Sequence, residues 1–199
     1  MGLAEEVLEL EAAVRREKAC PEILMYESDL IESLIGQVES REKALRIDPI
    51  TPEEQFRGLL YQMDLDRVKY LLSSYLRSRL VKIQAYALWV VRQDDVNFLS
   101  PQEIDFLTKY YSIKTNHFKK TFLLGLPNDL RSLESRKGQR VIEVSPQLDK
   151  HVFIKVIDDV GRVQTENSAD IYLEKGDIFF IPYNLVKPLI TEERKIDLV

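Results

Sequence analysis

From about Glu53 to Val91 the chain has no proline and a single glycine, Gly58, and this stretch limits the possible folds more than any other feature. Leu65, Val68, Leu72, Leu76, Leu80, Ile83, Ala87 and Val90 recur at steps of three and four residues. That is the period of an α-helix with a buried stripe. Leu71, Tyr75, Tyr86 and Trp89 widen the stripe. A helix apolar over more than half its girth must bury more than one side, either centrally in a bundle or against a second chain. Ser73 and Ser74 within it allow a neighbouring helix to approach closely.

The flanking segments also read as helix. Leu3, Val7, Leu10 and Val14 give an amphipathic first helix. Pro21 is expected in the first turn of a second helix, where its missing N–H costs little, with Cys20 at that helix start. Ile23, Leu24, Ile31, Leu34, Ile35 and Val38 form that helix's stripe, and Asp48–Pro52 stops it, because each proline disfavours helix in the preceding residue. After the long third helix, Asp94, Asp95 and Asn97 mark a loop, and Ser100-Pro-Gln-Glu103 has the form of a capping box. The fourth helix runs through Phe106, Leu107, Tyr110, Tyr111, Phe118 and Phe122 and ends at Gly125, with Pro127 beyond.

From Arg131 the pattern changes. Residues 132–148 read as a charged linker, and from 149 onward the period falls to two. His151–Ile157 is a strand, Asp158–Gly161 a turn, and Ile171–Leu173 pairs with Asp177–Ile181 across a Glu174-Lys-Gly176 turn. Val186–Ile190 and Ile196–Val199 are read as two further short strands. The fold class is therefore α+β: a helical domain over 1–131, a linker over 132–148 and a small β-rich domain over 149–199. A β module of about 50 residues is marginal alone and is expected to lean on the helices or on another chain.

Composition narrows the functions. The chain has 199 residues with a net charge of −5, one cysteine and two histidines. A single cysteine excludes an intrachain disulfide and a multi-cysteine zinc site, and the two histidines, His117 and His151, leave little for a metal centre or a triad. None of the seven glycines falls in a phosphate-cradling loop. Paired carboxylates (Glu5/Glu6, Asp94/Asp95, Asp158/Asp159, Glu192/Glu193) are adjacent in sequence on polar segments. A catalytic acid–base pair must instead converge in a pocket. No catalytic residue, metal or cofactor is expected, nor a membrane span: no apolar run approaches the ~20 residues required, and there is no signal-type apolar region at the start.

Charge is unevenly placed. Residues 1–60 carry 7 basic and 14 acidic groups, residues 61–140 carry 14 and 8, and residues 141–199 carry 7 and 11. Arg67, Lys69, Arg77, Arg79, Lys82 and Arg92 lie on the long helix with no acid between Asp66 and Asp94. These cations suit phosphate contact, which makes a helical nucleic-acid-binding protein using 67–92 the alternative function. At helical spacing they do not share one flat face, which favours pairing with acidic helices of this chain or a neighbour. Tyr70, Tyr75, Tyr86 and Trp89 suit an interface in the same way, since Tyr, Trp and Arg dominate interfaces. His117 reads as a surface or interface histidine.

One stretch is more specific. Gln62-Met-Asp-Leu-Asp-Arg-Val-Lys-Tyr-Leu-Leu-Ser-Ser-Tyr-Leu-Arg-Ser-Arg-Leu-Val-Lys-Ile83 resembles the R-[IV]-[KR]-Y-x-L-S-S-Y-L-R-x-R-L-x-K-I pattern of the Sld-five family of GINS subunits. Leu99–Glu103, Leu126–Leu130, Asp149–Val156 and Leu173–Gly176 resemble further family stretches in the same order, so the likeness covers about residues 10–199. Many family members begin with an acidic leader, which in some fungal members carries a motif for a replisome hub protein; here helix is expected almost from Met1, so that contact is not expected.

The resemblance implies a helical A domain followed by a β-rich B domain, in a heterotetramer with three sister GINS subunits. That tetramer joins the MCM ring and a third factor as the replicative helicase, in the nucleus, with ATP hydrolysis in the ring. The chain itself is then a non-catalytic scaffold, its contact with DNA indirect or weak. The expected partner-binding residues are Arg67, Tyr70, Tyr75, Arg77, Arg79, Lys82, Tyr86 and Trp89 on the long helix, and Phe153, Phe179, Phe180 and Tyr183 in the β module.

Overall fold

Apolar spacing lays down the helices in the order anticipated. In a computed structural model, residues 3–45, 51–93, 96–127, 144–164, 170–191 and 195–198 are described. The architecture is α+β: helices α1 (Leu3–Ala19), α2 (Ser28–Leu45), α3 (Pro52–Val90) and α4 (Pro101–Thr121) precede a small module of five strands and one helix. The chain divides into two units. One comprises Met1–Pro21, Glu27–Arg79 and Leu148–Val199, and the other Glu22–Tyr26 and Leu80–Gln147.

In the first unit, α1 buries Leu10, Ala13, Val14 and Glu17, spaced as one helical stripe. Helix α2 buries Ile31, Leu34 and Val38, and α3 contributes Leu65, Val68, Leu72, Tyr75 and Arg79. The second helix does not start at Pro21. Cys20 and Pro21 are buried just past the end of α1, Ile23 and Leu24 lie in a connector, and α2 begins at Ser28, where the Ile31 N–H donates to the Glu27 carbonyl. Apolar residues in an extended connector mimic a helical stripe when they happen to fall three and four apart.

Helix α3 starts with a second capping box. The Thr51 N–H donates to Glu54 Oε2, the Glu54 N–H donates to Thr51 Oγ1, and Pro52 follows the cap. Residues 46–50, which hold most of the stop signal before it, lie outside the described residues.

The β module belongs to the first unit. Strand β1 (His151–Val156) is central in a sheet of order β4-β1-β5, with β4 at Ile178–Pro182 and β5 at Ile196–Leu198, both antiparallel to β1. Val152, Ile154 and Val156 point inward with Ile181, Ile196 and Leu198, while His151, Phe153 and Lys155 face outward. Strand β5 contacts α1, where Arg15 lies 3.6 Å from Asp197.

The module differs from the sequence expectation in two places. The residues 171–173 do not pair with β4: β3 (Asp170–Leu173) pairs with β2 (Gly161–Gln164) in a separate two-stranded sheet. The Glu174–Gly176 turn does form, with Gly176 at φ 95° and its N–H on the Val156 carbonyl, but it leads from one sheet to the other. Val186–Ile190 is not a strand. It lies in α5 (Tyr183–Thr191), where Tyr183, Val186 and Ile190 are buried at steps of three and four.

In the second unit, Ile83, Ala87 and Val90 of α3 form a core with Ile23, Leu99 and Leu107. The expected capping box opens α4: the Glu103 N–H donates to Ser100 Oγ and the Ser100 N–H to Glu103 Oε2. The helix ends at Thr121 and a 3₁₀ turn, Leu123–Gly125, follows. The loop residues Asp94 and Asp95, the stretch 128–130 and linker residues 132–143 lie outside the described residues.

Candidate interaction surface

The basic residues of α3 separate into buried and surface sets. Arg79 is fully buried, and its Nη1 lies 3.2 Å from Oε2 of Glu17, itself 1% exposed. The Arg79 guanidinium also lies 5.6 Å from the centre of the Tyr75 ring. The Tyr75 hydroxyl accepts a hydrogen bond from the Glu27 N–H at 3.4 Å. Burial pushes the Tyr75 phenol up to about 12, with Arg79 acting in the opposite sense. Sequence reasoning assigns Tyr75 and Arg79 to a partner contact; they belong instead to the chain's own interior. An unpaired buried charge is costly, so a cation on this inward face requires a carboxylate opposite it.

Arg67 pairs with Glu11, and Lys69 with Glu42 and Asp66. The hydrogen bond to Glu42 holds the Lys69 ammonium above its usual range, partly offset by desolvation. Lys82 donates through Nζ to the Glu22 carbonyl at 2.7 Å. Tyr86 and Trp89 are half-buried against the core of the second unit. Arg77 is exposed and makes no ion pair among the described residues, and Tyr70 is 68% exposed.

A further set on α3 is not among the residues that sequence reasoning singles out. Phe56, Leu59, Leu60 and Met63 are all exposed, Met63 by 68%. Their spacing puts them along one side of the helix, and Arg67, Tyr70 and Arg77 continue the same line. Leu65, Val68, Leu72 and Tyr75 bury the opposite side. Helix α3 thus has two apolar faces, of which the described residues of this chain cover one. The signal is present in Phe56-Arg-Gly-Leu-Leu-Tyr-Gln-Met63, where apolar residues flank the helix away from the main stripe.

In the β module, Phe153 and Phe180 are exposed cross-strand neighbours with ring centres 4.6 Å apart, and the His151 ring lies tilted against Phe180 at 5.2 Å. Phe179 is half-buried. Tyr183, expected in the core or at a contact, is fully buried at the start of α5, because the helical spacing turns it inward.

A groove of about 350 Å³ beside α2 and α3 is lined by Arg41, Ala44, Leu45, Tyr61, Asp64 and Leu65, a lining with one acid and one base. Among the described residues no three His, Cys, Asp or Glu side chains converge as a metal site requires. Among the same residues no helix is long and apolar enough to cross a membrane.

The chain is thus a helical bundle followed by a small β module, with exposed apolar side chains on both. The profile described as the GINS complex protein helical bundle domain matches residues 26–122, and that described as the DNA replication complex GINS protein SLD5 C-terminus matches residues 146–199. The chain is 36% identical to the DNA replication complex GINS protein SLD5 of Arabidopsis thaliana, over 96% of this chain and 89% of that protein. It is 30% identical to the protein of that name from Rattus norvegicus and 29% to that from Homo sapiens, in each case over 94% of this chain and 86% of the relative. The chain belongs to the SLD5 family of GINS proteins.

Proposed function

We propose that the chain acts by assembly, as the non-catalytic SLD5-type subunit of a nuclear GINS heterotetramer that serves as scaffold and activator of the replicative helicase. The observation that carries this is the open side of α3, where Phe56, Leu59, Leu60 and Met63 stand in solvent on a helix whose other side is already buried. Fully burying one such side chain is worth about 1.5–3 kcal/mol, so four in a row form a strong site for a partner helix. Arg67, Tyr70 and Arg77 extend it, and Phe153 and Phe180 offer a second surface on the β module.

The division into a helical domain over 1–131, a linker over 132–148 and a β-rich domain over 149–199 is part of the same reading. The three sister GINS subunits are the direct partners, and the MCM ring and other replisome proteins are reached through the tetramer. The alternative, nucleic-acid binding through 67–92, is weakened because Arg79 is buried against Glu17 while Lys69 and Lys82 are bonded to Glu42 and the Glu22 carbonyl.

The test is co-expression with the three sister subunits. Leu60→Glu with Met63→Glu should leave the helical content of the isolated chain unchanged and abolish the heterotetramer on size exclusion. Normal tetramer yield from that variant would overturn the assignment.

A further inference from the structure

The two edges of the three-stranded sheet are finished differently. Strand β5 is three residues long and contacts α1, and the Asp197 carboxylate on it accepts the Leu198 N–H and lies near Arg15. A short strand, an edge charge and a neighbouring helix all keep an edge from pairing further. Strand β4 has none of these along its middle. Ile178-Phe-Phe-Ile-Pro182 carries no charge, and Ile178 and Phe180 are 61% and 56% exposed.

Register fixes which backbone groups β4 leaves over. The Tyr183 N–H donates to the Lys150 carbonyl, and the Val156 N–H donates to the Asp177 carbonyl. Bonded and non-bonded positions alternate along an antiparallel pair, so between those two points Ile181 bonds Val152 and Phe179 bonds Ile154. Ile178 and Phe180 therefore turn both N–H and C=O away from β1, and among the described residues no other strand lies beside β4. A bulge closes one end of this edge, where the Gly176 N–H takes the Val156 carbonyl beside Asp177. Pro182, which has no N–H, closes the other. What stays open is a short window with Ile178 and Phe180 on one face, the Phe180 ring 4.6 Å from that of Phe153.

We propose that the β4 edge receives an extended segment of a partner protein, antiparallel to β4, with apolar side chains at alternate positions. The residues opposite Ile178 and Phe180 exchange both backbone bonds with them and lay their side chains against that apolar face. Main-chain bonds then supply affinity, and the alternation selects the segment. A second copy of the chain fits less well. In a two-fold pair of β4 strands centred on Phe179, Asp177 falls opposite Ile181 of the other copy, a carboxylate against a buried apolar side chain. This occupant rests on the subunit reading only in that a partner exists; the edge itself belongs to the chain alone.

The experiment titrates the full chain with a short labelled peptide of alternating threonine and valine, with a lysine at each end. Binding should slow exchange of the Ile178 and Phe180 amides, read by NMR. N-methylation of the valines removes the donors aimed at β4 and should weaken binding by about tenfold or more, whereas N-methylation of the threonines should not. Phe180→Pro removes one outward donor, keeps the bonds to β1, and should weaken binding by a similar factor with unchanged circular dichroism. The methylated peptides decide the matter without a variant if that chain does not fold. No binding at millimolar peptide overturns the proposal. So does equal binding of the valine-methylated peptide, which would mark an apolar patch without edge pairing. A dimer of the free chain that Phe180→Pro disperses also overturns it, in favour of a second copy. Normal tetramer yield from the Leu60→Glu, Met63→Glu variant would instead overturn the subunit reading and leave the peptide result unaffected.

Discussion

Arg79 Nη1 of α3 and Glu17 Oε2 of α1 meet at 3.2 Å in the interior of the first unit, where both side chains are removed from solvent. The two residues are 62 positions apart in the chain, so the pair fixes which face of α1 meets which face of α3. Removing either partner leaves a buried charge alone, which costs about 3–5 kcal/mol. Glu17→Ala and Arg79→Ala should each lower unfolding free energy by that amount in urea denaturation. The apolar pair Glu17→Leu with Arg79→Met should recover most of the loss, since it leaves no charge behind.

Tyr75, next to that pair, gives an alkaline signature. Its phenol titrates at about 12 in the folded chain against 10.0 for an unperturbed tyrosine. The folded state therefore holds the proton more tightly than the unfolded state. The contribution is complete below pH 10 and is lost as pH rises through the folded value. At about 1.36 kcal/mol per unit it amounts to about 2–3 kcal/mol. Tyr75→Phe should flatten this part of the stability profile between about pH 10 and 12. Thermal melts of the two chains across that window supply the difference; parallel curves would show that the phenol does not contribute.

Arg77 and Arg79 are two residues apart and behave oppositely under charge reversal. Arg79→Glu puts a second carboxylate against Glu17 and should unfold the first unit. Arg77→Glu changes an exposed site and should alter the stability of the isolated chain by no more than about 0.5 kcal/mol. In co-expression with sister subunits, Arg77→Glu alone should reduce tetramer yield. A melt of each single variant, run beside the pull-down, separates the two effects.

The reciprocal bonds of Ser100 and Glu103 hold the start of α4. Ser100→Ala removes one acceptor and should cost about 1 kcal/mol, within the usual range for an N-cap serine. Chemical denaturation with the Leu107 core intact is the measure. A change below a few tenths of a kcal/mol would mean that Pro101 and the surrounding packing suffice.

Much of the fold is legible locally. The span of α3, the capping box at Ser100, the strand His151–Val156 and the turn at Gly176 each rest on spacing or turn chemistry within a few residues. The motif around Arg67–Ile83 points to the family from residue identities alone. The errors lie where a short segment fits two periods: Val186–Ile190 is apolar enough for a strand, and burial at Tyr183, Val186 and Ile190 decides for helix. The pairing of β3 with β2 instead of β4 is likewise hidden, because a turn connecting two strands does not say that they share a sheet.

By itself the sequence determined the long helices α1, α3 and α4, the change to β structure and the family, because periodicity and caps act over a few residues. Tertiary structure alone decided which cations and aromatics are available to partners. Arg77 and Arg79, or Tyr70 and Tyr75, carry the same chemistry in the sequence. Only the packing of α1 against one side of α3 turns Tyr75 and Arg79 inward, where desolvation demands the Glu17 carboxylate, and leaves Tyr70, Arg77 and the apolar line from Phe56 to Met63 facing out.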